Sequence, residues 1–401
     1  MKDHYYSKKL KKYFPRRLDI LLYAHDGRGL GHASRSIAIG MAMKRLYPDF
    51  RVLQVTGCNL SQSLIDRAPL DWIKLPSYAT RVHAGVSGGT DGPANFYKSV
   101  LGLHREALLA NIVDTFNPYC VLVDHAPSGK RKELVRAMKQ SKASGTRWIL
   151  GLRAVVGSDK SVWSEAARML FQDHYDSIFW YGDRNVLGEA QIEGIARHFG
   201  QPPEETGYVS RLAELKHWFP QEPQQFCGTI AIPWFSDVTW QFVGTLQDAL
   251  KQLGDHYGRW RLFVAAKEIH RVKELFKHLD FCLIEAVSER YVSALLNSRL
   301  GLVYAGYNSL MDVLAAQIPA LVVIRDMKDR EQEDHIRRLI TTCPSAFKVF
   351  NESETEADAL AETIVQQLQS SPSPKFNINI QGASAAAGIL AETLKHAKGN
   401  E

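Results

Sequence analysis

The strongest constraint on the fold is a repeated alternation of two hydrophobic periods. Apolar runs of four to seven residues fall at 18–24, 52–55, 72–75, 119–123, 148–152 and 178–181, with longer amphipathic stretches between several of them. One such stretch, 34–46, sets Ile37, Ala38 and Met41 on one side. Short continuous apolar runs read as strands buried on both faces, and their alternation with helices predicts a mainly parallel, doubly wound sheet. The pattern breaks around 206–225, where Pro202, Pro203, Pro220 and Pro223 gather with Gly207, Gln221, Gln224 and Gln225. It then resumes at 229–232, 262–265, 281–284, 300–304 and 320–324. A second Ser/Pro-rich stretch, 370–374, precedes a last helix over 384–395. The expected plan is a basic arm (1–17), a first Rossmann-like domain (18–205), a linker (206–225), a second Rossmann-like domain (226–370) and a tail helix (371–401) returning toward the first domain. The two α/β domains are expected to face each other across a cleft.

Composition removes other classes. Of 401 residues, 45% are hydrophobic and 23% charged, which excludes a disordered chain or a fibre. No apolar run approaches the roughly 18 residues of a membrane span, and no secretory core follows the basic N-terminus. Cys58, Cys120, Cys227, Cys282 and Cys343 are odd in number, widely spaced and free of any CxxC, so reduced thiols in a cytoplasmic protein are expected. Lys2, Lys8, Lys9, Lys11, Lys12, Arg16 and Arg17, against Asp3, carry the whole formal charge of +6. The remainder is neutral and lacks the field of a nucleic-acid binder, so no nucleic-acid partner is expected. Tyr5, Tyr6, Leu10, Tyr13 and Phe14 interleave with those lysines, a pattern that suits either a solvated terminus or peripheral contact of residues 1–17 with the inner face of an anionic membrane.

Two segments carry chemistry. After the first strand comes His25-Asp26-Gly27-Arg28-Gly29-Leu30-Gly31-His32. Gly27, Gly29 and Gly31 permit a tight turn with close backbone approach, and the helix that follows presents free N–H groups at the carboxyl edge of the sheet. The spacing is not GxGxxG and no GKS/T follows, which disfavours a nicotinamide cofactor or a P-loop. His32, at that helix N-terminus, is expected to stay neutral and fit to accept a proton.

The second segment runs from the strand at 300–304 through Gly306, Asn308, Ser309 and Asp312 to Glu331 and Gln332 after the next strand. Gly306 exposes backbone N–H groups, Asn308 and Ser309 cap the helix or donate to phosphate, and Asp312 lies on the face of Ser309 (i, i+3). A carboxylate there can accept both ribose hydroxyls. Phosphate donors, a ribose acceptor and sugar acceptors, in that order, describe a nucleotide-sugar pocket; the alternative is a capped helix with a solvated loop.

The segment 306–332 resembles the donor-site signature of GT-B glycosyltransferases. It is most similar to the bacterial enzymes that add N-acetylglucosamine to the lipid-linked peptidoglycan precursor, and to a related group of predicted bacterial glycosyltransferases. The resemblance implies that Asp312 binds ribose, that Glu331 and Gln332 bind the sugar, and that Lys328-Asp329-Arg330 belong to the same loop. It also matches 27–32 to the family's glycine loop and histidine. For the predicted group further stretches look alike: Val123-Asp124-His125-Ala126-Pro127, Gly151-Leu152-Arg153, Tyr181-Gly182-Asp183, Gly207-Tyr208 and Gln381-Gly382-Ala383. One departure stands out. Where the family places a second glycine loop this chain has Ile232-Pro233-Trp234-Phe235-Ser236-Asp237, without glycine and with one N–H donor removed by Pro233. Trp234 and Phe235 stack on a ligand or simply pack.

Asp124 and His125 end another strand and form either a base–orienter pair or a structural one. Arg153, after a further strand, neutralises a diphosphate or serves an ordinary salt bridge. No HExxH or comparable spacing occurs, so neither a metal nor a cofactor is expected. The expected activity is transfer of a hexose or N-acetylhexosamine from a nucleotide diphosphate sugar, UDP-linked by resemblance, to a hydroxyl or amine of an unknown acceptor. A nucleotide-sugar epimerase and a non-catalytic binder of the same fold are the alternatives.

Overall fold

The computed structural model describes residues 17–25, 30–59, 61–65, 68–83, 86–90, 95–157, 159–218, 225–325, 330–369 and 377–399. The chain divides into two compact units: Met1–Glu214 with Gln381–Glu401, and Leu215–Ile380.

In the first unit, β1 (Ile20–Ala24), β2 (Val52–Thr56), β3 (Asp71–Lys74), β6 (Cys120–Asp124), β7 (Arg147–Arg153), β8 (Ser177–Tyr181) and β9 (Glu204–Glu205) form one sheet in the order β3-β2-β1-β6-β7-β8-β9. Every pairing in it is parallel. A separate antiparallel pair, β4 (Ala79–His83) and β5 (Val86–Thr90), lies outside it. β1, β2 and β6 are buried at every position, which is why they read as largely apolar rather than alternating runs; the buried Gln54 of β2 accepts from Ser36 Oγ at 2.8 Å. Strand order reverses between β1 and β6, and the carboxyl edge at such a reversal is where open α/β sheets leave a crevice.

Helix α1 (Gly31–Leu46) follows β1 and is buried from Ala33 to Met43. It lies against β1 and β2 on one side and the last helix of the chain on another. Gly40 permits the approach, since a Cβ there would sit 2.9 Å from side-chain carbons of Leu22 and Leu70. That last helix, Gly382–Gly399, buries Ala383, Ala386, Ala387, Leu390, Ala391 and Leu394, one stripe at helical spacing. Its entry is set by a bridge between Val209 and Gln381 and by Gly382 N–H donating to the Tyr208 carbonyl at 2.9 Å. A Cβ on Gly382 would stand 2.3 Å from the Gly207 carbonyl oxygen. Gly207-Tyr208 and Gln381-Gly382-Ala383 are thus two sides of one helix dock. Glycine has the same role at Gly151, where a Cβ would strike the Tyr181 hydroxyl, and at Gly182, where it would strike the Trp180 ring.

The second unit has β10 (Phe226–Ile232), β11 (Trp260–Val264), β12 (Cys282–Ala286), β13 (Ser298–Tyr304), β14 (Ala320–Ile324) and β15 (Phe347–Asn351) in the order β12-β11-β10-β13-β14-β15. All pairings are again parallel, and the order reverses between β10 and β13. Helix α2 (Asp237–Leu253) buries Phe242, Val243, Leu246, Ala249, Leu250 and Leu253, the i, i+4, i+7 face that meets Ile230, Leu262 and Leu302 in the core. Each such aliphatic side chain contributes roughly 1.5–3 kcal/mol on burial.

Both sheets are those of Rossmann-like domains, and together they make the GT-B architecture. Two details differ from the sequence reading. The stretch 206–225 is not a plain linker: it contains the helix Arg211–Trp218, whose Glu214 is buried and held by Arg45 (2.9 and 3.0 Å) and Ser384 (3.0 Å). β15 and β9 are further strands, each on the edge of its sheet and lacking the long apolar run of a central strand. Residues 1–16 lie outside the described residues. Among the described residues no helix is long and apolar enough to cross a membrane. None of the five cysteines forms a disulfide, and burial pushes the Cys120 thiol up to about 12.

Candidate functional site

Ala24 and Asp124 are register partners at the ends of β1 and β6. His25 and His125 therefore leave the sheet side by side at the strand-order reversal. Helix α1 starts at Gly31, so His32 sits in its first turn and Arg35 one turn later on the same face. The three imidazoles gather: ring centroids are 4.1 Å apart for His25 and His32, 4.6 Å for His32 and His125, and 5.8 Å for His25 and His125.

Asp124 organises the group. Its Oδ1 accepts from His32 Nδ1 at 2.6 Å and from Arg35 Nη2 at 2.7 Å, while Oδ2 accepts from Arg35 Nε at 2.8 Å. Arg35 and Asp124 are 3% and 2% exposed, and the fork-to-carboxylate geometry satisfies a charge pair that would otherwise be costly to bury. Because the carboxylate accepts, His32 carries its hydrogen on Nδ1 and leaves the Nε2 lone pair available. His32 is held well below the usual histidine range, first by burial, then by His25 and the cations Arg35, Arg153 and Lys130. Sequence reasoning ascribed this neutrality to the helix N-terminus; burial and neighbouring cations are the main physical causes. The result is a neutral imidazole, 16% exposed, oriented by a carboxylate and able to take a proton.

The structure pairs Asp124 with His32, not with His125 as the adjacent positions suggested. His125 is 3% exposed, and among the described residues neither of its ring nitrogens makes a hydrogen bond; Nε2 lies 3.4 Å from Asp159 Oδ2. Burial, His32 and Arg153 depress its basicity, while Asp124 acts in the opposite direction. Arg153 ends β7, two strands from β1, close enough to act electrostatically on both imidazoles. Gly31 is the first helical residue; Gly27 and Gly29 lie outside the described residues. His25, Arg35 and Lys130 were missed as site residues, although the i, i+3 spacing of His32 and Arg35 was a usable signal.

His25, His32 and His125 also offer nitrogens that all lie within 4.8 Å of one another. A zinc ion about 2.0–2.1 Å from each would draw such atoms to roughly 3.3 Å spacing. Arg35, Arg153 and Lys130 oppose a divalent cation at this place and favour an anionic ligand group.

In the second unit, Gly306 is the N-cap of helix α3 (Tyr307–Ala316), in extended conformation and with no side-chain cap. Leu310 N–H donates to the Gly306 carbonyl at 3.1 Å, and the N–H groups of Asn308 and Ser309 come too early in the helix for an intrahelical acceptor. Among the described residues, a Cβ on Gly306 would meet nothing within 4 Å. Asn308, Ser309 and Asp312 are half-buried on this helix, with Asp312 between the buried Met311 and Val313. Tyr307 stacks on His335 (centroids 6.0 Å) of helix α4 (Glu331–Thr342). Glu331, half-buried, and Gln332, exposed, open that helix directly after Arg330, while Lys328 and Asp329 lie outside the described residues.

The loop lacking glycine is filled by packing. The Trp234 ring covers the Arg325 guanidinium at 3.5 Å, and Phe235 meets Trp240 at 4.7 Å. Arg325, which sequence reasoning passed over, donates Nε to Glu352 Oε1 (3.1 Å) and Nη2 to the Trp234 carbonyl (2.8 Å).

No family model matches this chain, and no curated protein matches it in sequence. Solved structures do match in fold. A putative UDP-N-acetylglucosamine 2-epimerase from Listeria monocytogenes aligns with TM-score 0.64 at 13% identity, covering 96% of this chain and 98% of that one. The UDP-GlcNAc 2-epimerase from Neisseria meningitidis, bound to UDP-GlcNAc, aligns with TM-score 0.58 at 12% identity, covering 94% and 100%. MurG from Acinetobacter baumannii aligns with TM-score 0.51 at 11% identity, covering 95% and 99%. The likeness is one of fold.

Proposed function

We propose that this chain is a glycosyltransferase that moves a hexose or N-acetylhexosamine from a UDP-linked donor to a hydroxyl or amine acceptor. The observation that carries the reading is the His32–Asp124 pair: a neutral imidazole whose Nδ1–H is fixed on a carboxylate 2.6 Å away. In the proposed reaction the acceptor oxygen or nitrogen attacks the anomeric carbon, and its proton passes to His32 Nε2. The bond from the anomeric carbon to the diphosphate oxygen breaks, and that oxygen takes the electron pair. Asp124 stabilises the imidazolium that forms, while Arg35 keeps Asp124 in place. On the second unit, the first-turn N–H groups after Gly306, with Asn308 and Ser309, bind phosphate oxygens. Asp312 accepts the ribose hydroxyls, and Glu331 and Gln332 contact the sugar. Donors bearing UDP are favoured because solved structures of the same fold hold UDP-GlcNAc or UDP.

A second reading, epimerisation of the nucleotide sugar itself, is favoured by the likeness at TM-score 0.64 and by His25 and His125 beside His32, which offer further proton carriers. One experiment separates the two. The protein is incubated with UDP-GlcNAc alone in D2O and followed by NMR, then supplied with sugar and lipid-linked acceptors while UDP release is measured. Release that depends on acceptor supports transfer; a new epimer carrying deuterium in the absence of acceptor supports epimerisation. If a folded sample shows no calorimetric binding to UDP, GDP or TDP sugars, both readings fail.

A further inference from the structure

Arg325 leaves the end of β14 and is only 8% exposed. Its guanidinium is sandwiched between the rings of Trp234 (3.5 Å) and Tyr304 (3.8 Å). Glu352 Oε1 accepts from both Arg325 Nε (3.1 Å) and the Tyr304 hydroxyl (2.7 Å), and the Trp234 carbonyl accepts from Nη2 (2.8 Å). The four residues follow or end β10, β13, β14 and β15, which are neighbours in the sheet, so the cluster sits at the carboxyl edge where strand order reverses. Two helices begin beside it: α2, capped by Ser236 two residues after Trp234, and α3, capped by Gly306 two residues after Tyr304.

Such a cluster exceeds what packing requires. Aromatic faces and one carboxylate fix the guanidinium plane, yet Nη1 has no hydrogen-bond partner among the described residues. Nη1 is the arm that solvent reaches, and an anion can take the place of water there. The loop from Ile232 to Asp237 beside it has no glycine, and Pro233 removes one main-chain donor that could face an anion, so a donor at this edge has to come from a side chain.

We propose that Arg325 is a diphosphate-binding residue, its Nη1 arm replacing main-chain N–H donors at the switch point of the second sheet. This rests on the nucleotide-sugar reading above. The anion is held by a side-chain fork, pre-oriented by Trp234 and Tyr304, together with the Asn308 and Ser309 amides in the first turn of α3.

The test is calorimetry on the full chain with UDP, UMP and inorganic pyrophosphate as probes, comparing the native protein with Arg325→Lys and Glu352→Gln. Arg325→Lys keeps the charge and loses the fork, so UDP and pyrophosphate binding should weaken about ten- to hundred-fold, with a smaller change for UMP. Glu352→Gln keeps an acceptor for Arg325 but removes its neutralising charge, so UDP binding should tighten roughly three- to ten-fold at low salt. Should Arg325→Lys fail to fold, the Glu352 variant decides alone. Unchanged UDP affinity in the folded variants, or weaker binding in Glu352→Gln, overturns the assignment of Arg325. Absence of UDP binding to the native protein instead overturns the nucleotide-sugar reading on which it rests.

Discussion

Lowering the pH should cost stability through the buried imidazoles, by an amount that can be worked out. His32 and His125 are both held neutral, well below the ordinary histidine value, chiefly by burial. In the unfolded chain each returns to about 6.5. As pH falls below that value the unfolded state takes up protons that the folded state refuses, so stability falls with pH; above it, neither state is protonated and the contribution vanishes. Between about pH 7.5 and about pH 5.5 each histidine that stays neutral in the fold costs about 1.4 kcal/mol, and the pair about 3 kcal/mol. Other groups also titrate, including His174, so the useful quantity is a difference between proteins. His125→Gln removes one of the two imidazoles and leaves the His32–Asp124 bond in place. Urea unfolding at a series of pH values should then show a pH dependence shallower than the native protein's by about 1.4 kcal/mol over that interval. If the two units unfold separately, the difference belongs to the transition of the first. Parallel curves for native and variant protein would refute the claim that His125 is buried uncharged.

Three further outcomes follow from the same contacts. His32→Ala should lower turnover about 10²- to 10⁴-fold with donor affinity unchanged, as read by steady-state kinetics beside calorimetry. Asp312→Asn should weaken UDP binding about ten- to hundred-fold in calorimetry, because the proposed role of the carboxylate is to accept the ribose hydroxyls; unchanged UDP affinity in a folded variant would refute that role. Gly382→Ala should destabilise the protein by about 1–3 kcal/mol in denaturant titration, since its Cβ would stand 2.3 Å from the Gly207 carbonyl oxygen; full native stability would mean that the last helix docks differently.

The glycines show how a sequence signal changes meaning in three dimensions. Gly207 and Gly382 stand out in the chain together with the glycines near the candidate sites, yet they shape the dock of the last helix. Gly151 and Gly182 make room for Tyr181 and Trp180. Gly306 differs, because among the described residues nothing lies within 4 Å of where its Cβ would be. A missing side chain reads the same in a sequence whether it admits a neighbouring ring, a neighbouring backbone or a ligand.

Two α/β halves were legible from residue order, as were nearly all the central strands and the sheet edge carrying the candidate groups. That information is local: hydrophobic periodicity reports burial on one face or two, and parallel strands joined by helices bring strand ends and helix starts to the same edge. The choice of partners was not legible. Asp124 binds His32, 92 residues distant, rather than its chain neighbour His125. Arg35 completes that pair, and Arg325, at the end of β14, gathers residues from the ends of three other strands. Hydrogen bonds and ring contacts turn on separations of a few tenths of an ångström between segments far apart in the chain, and those separations exist only once register and helix packing have been set.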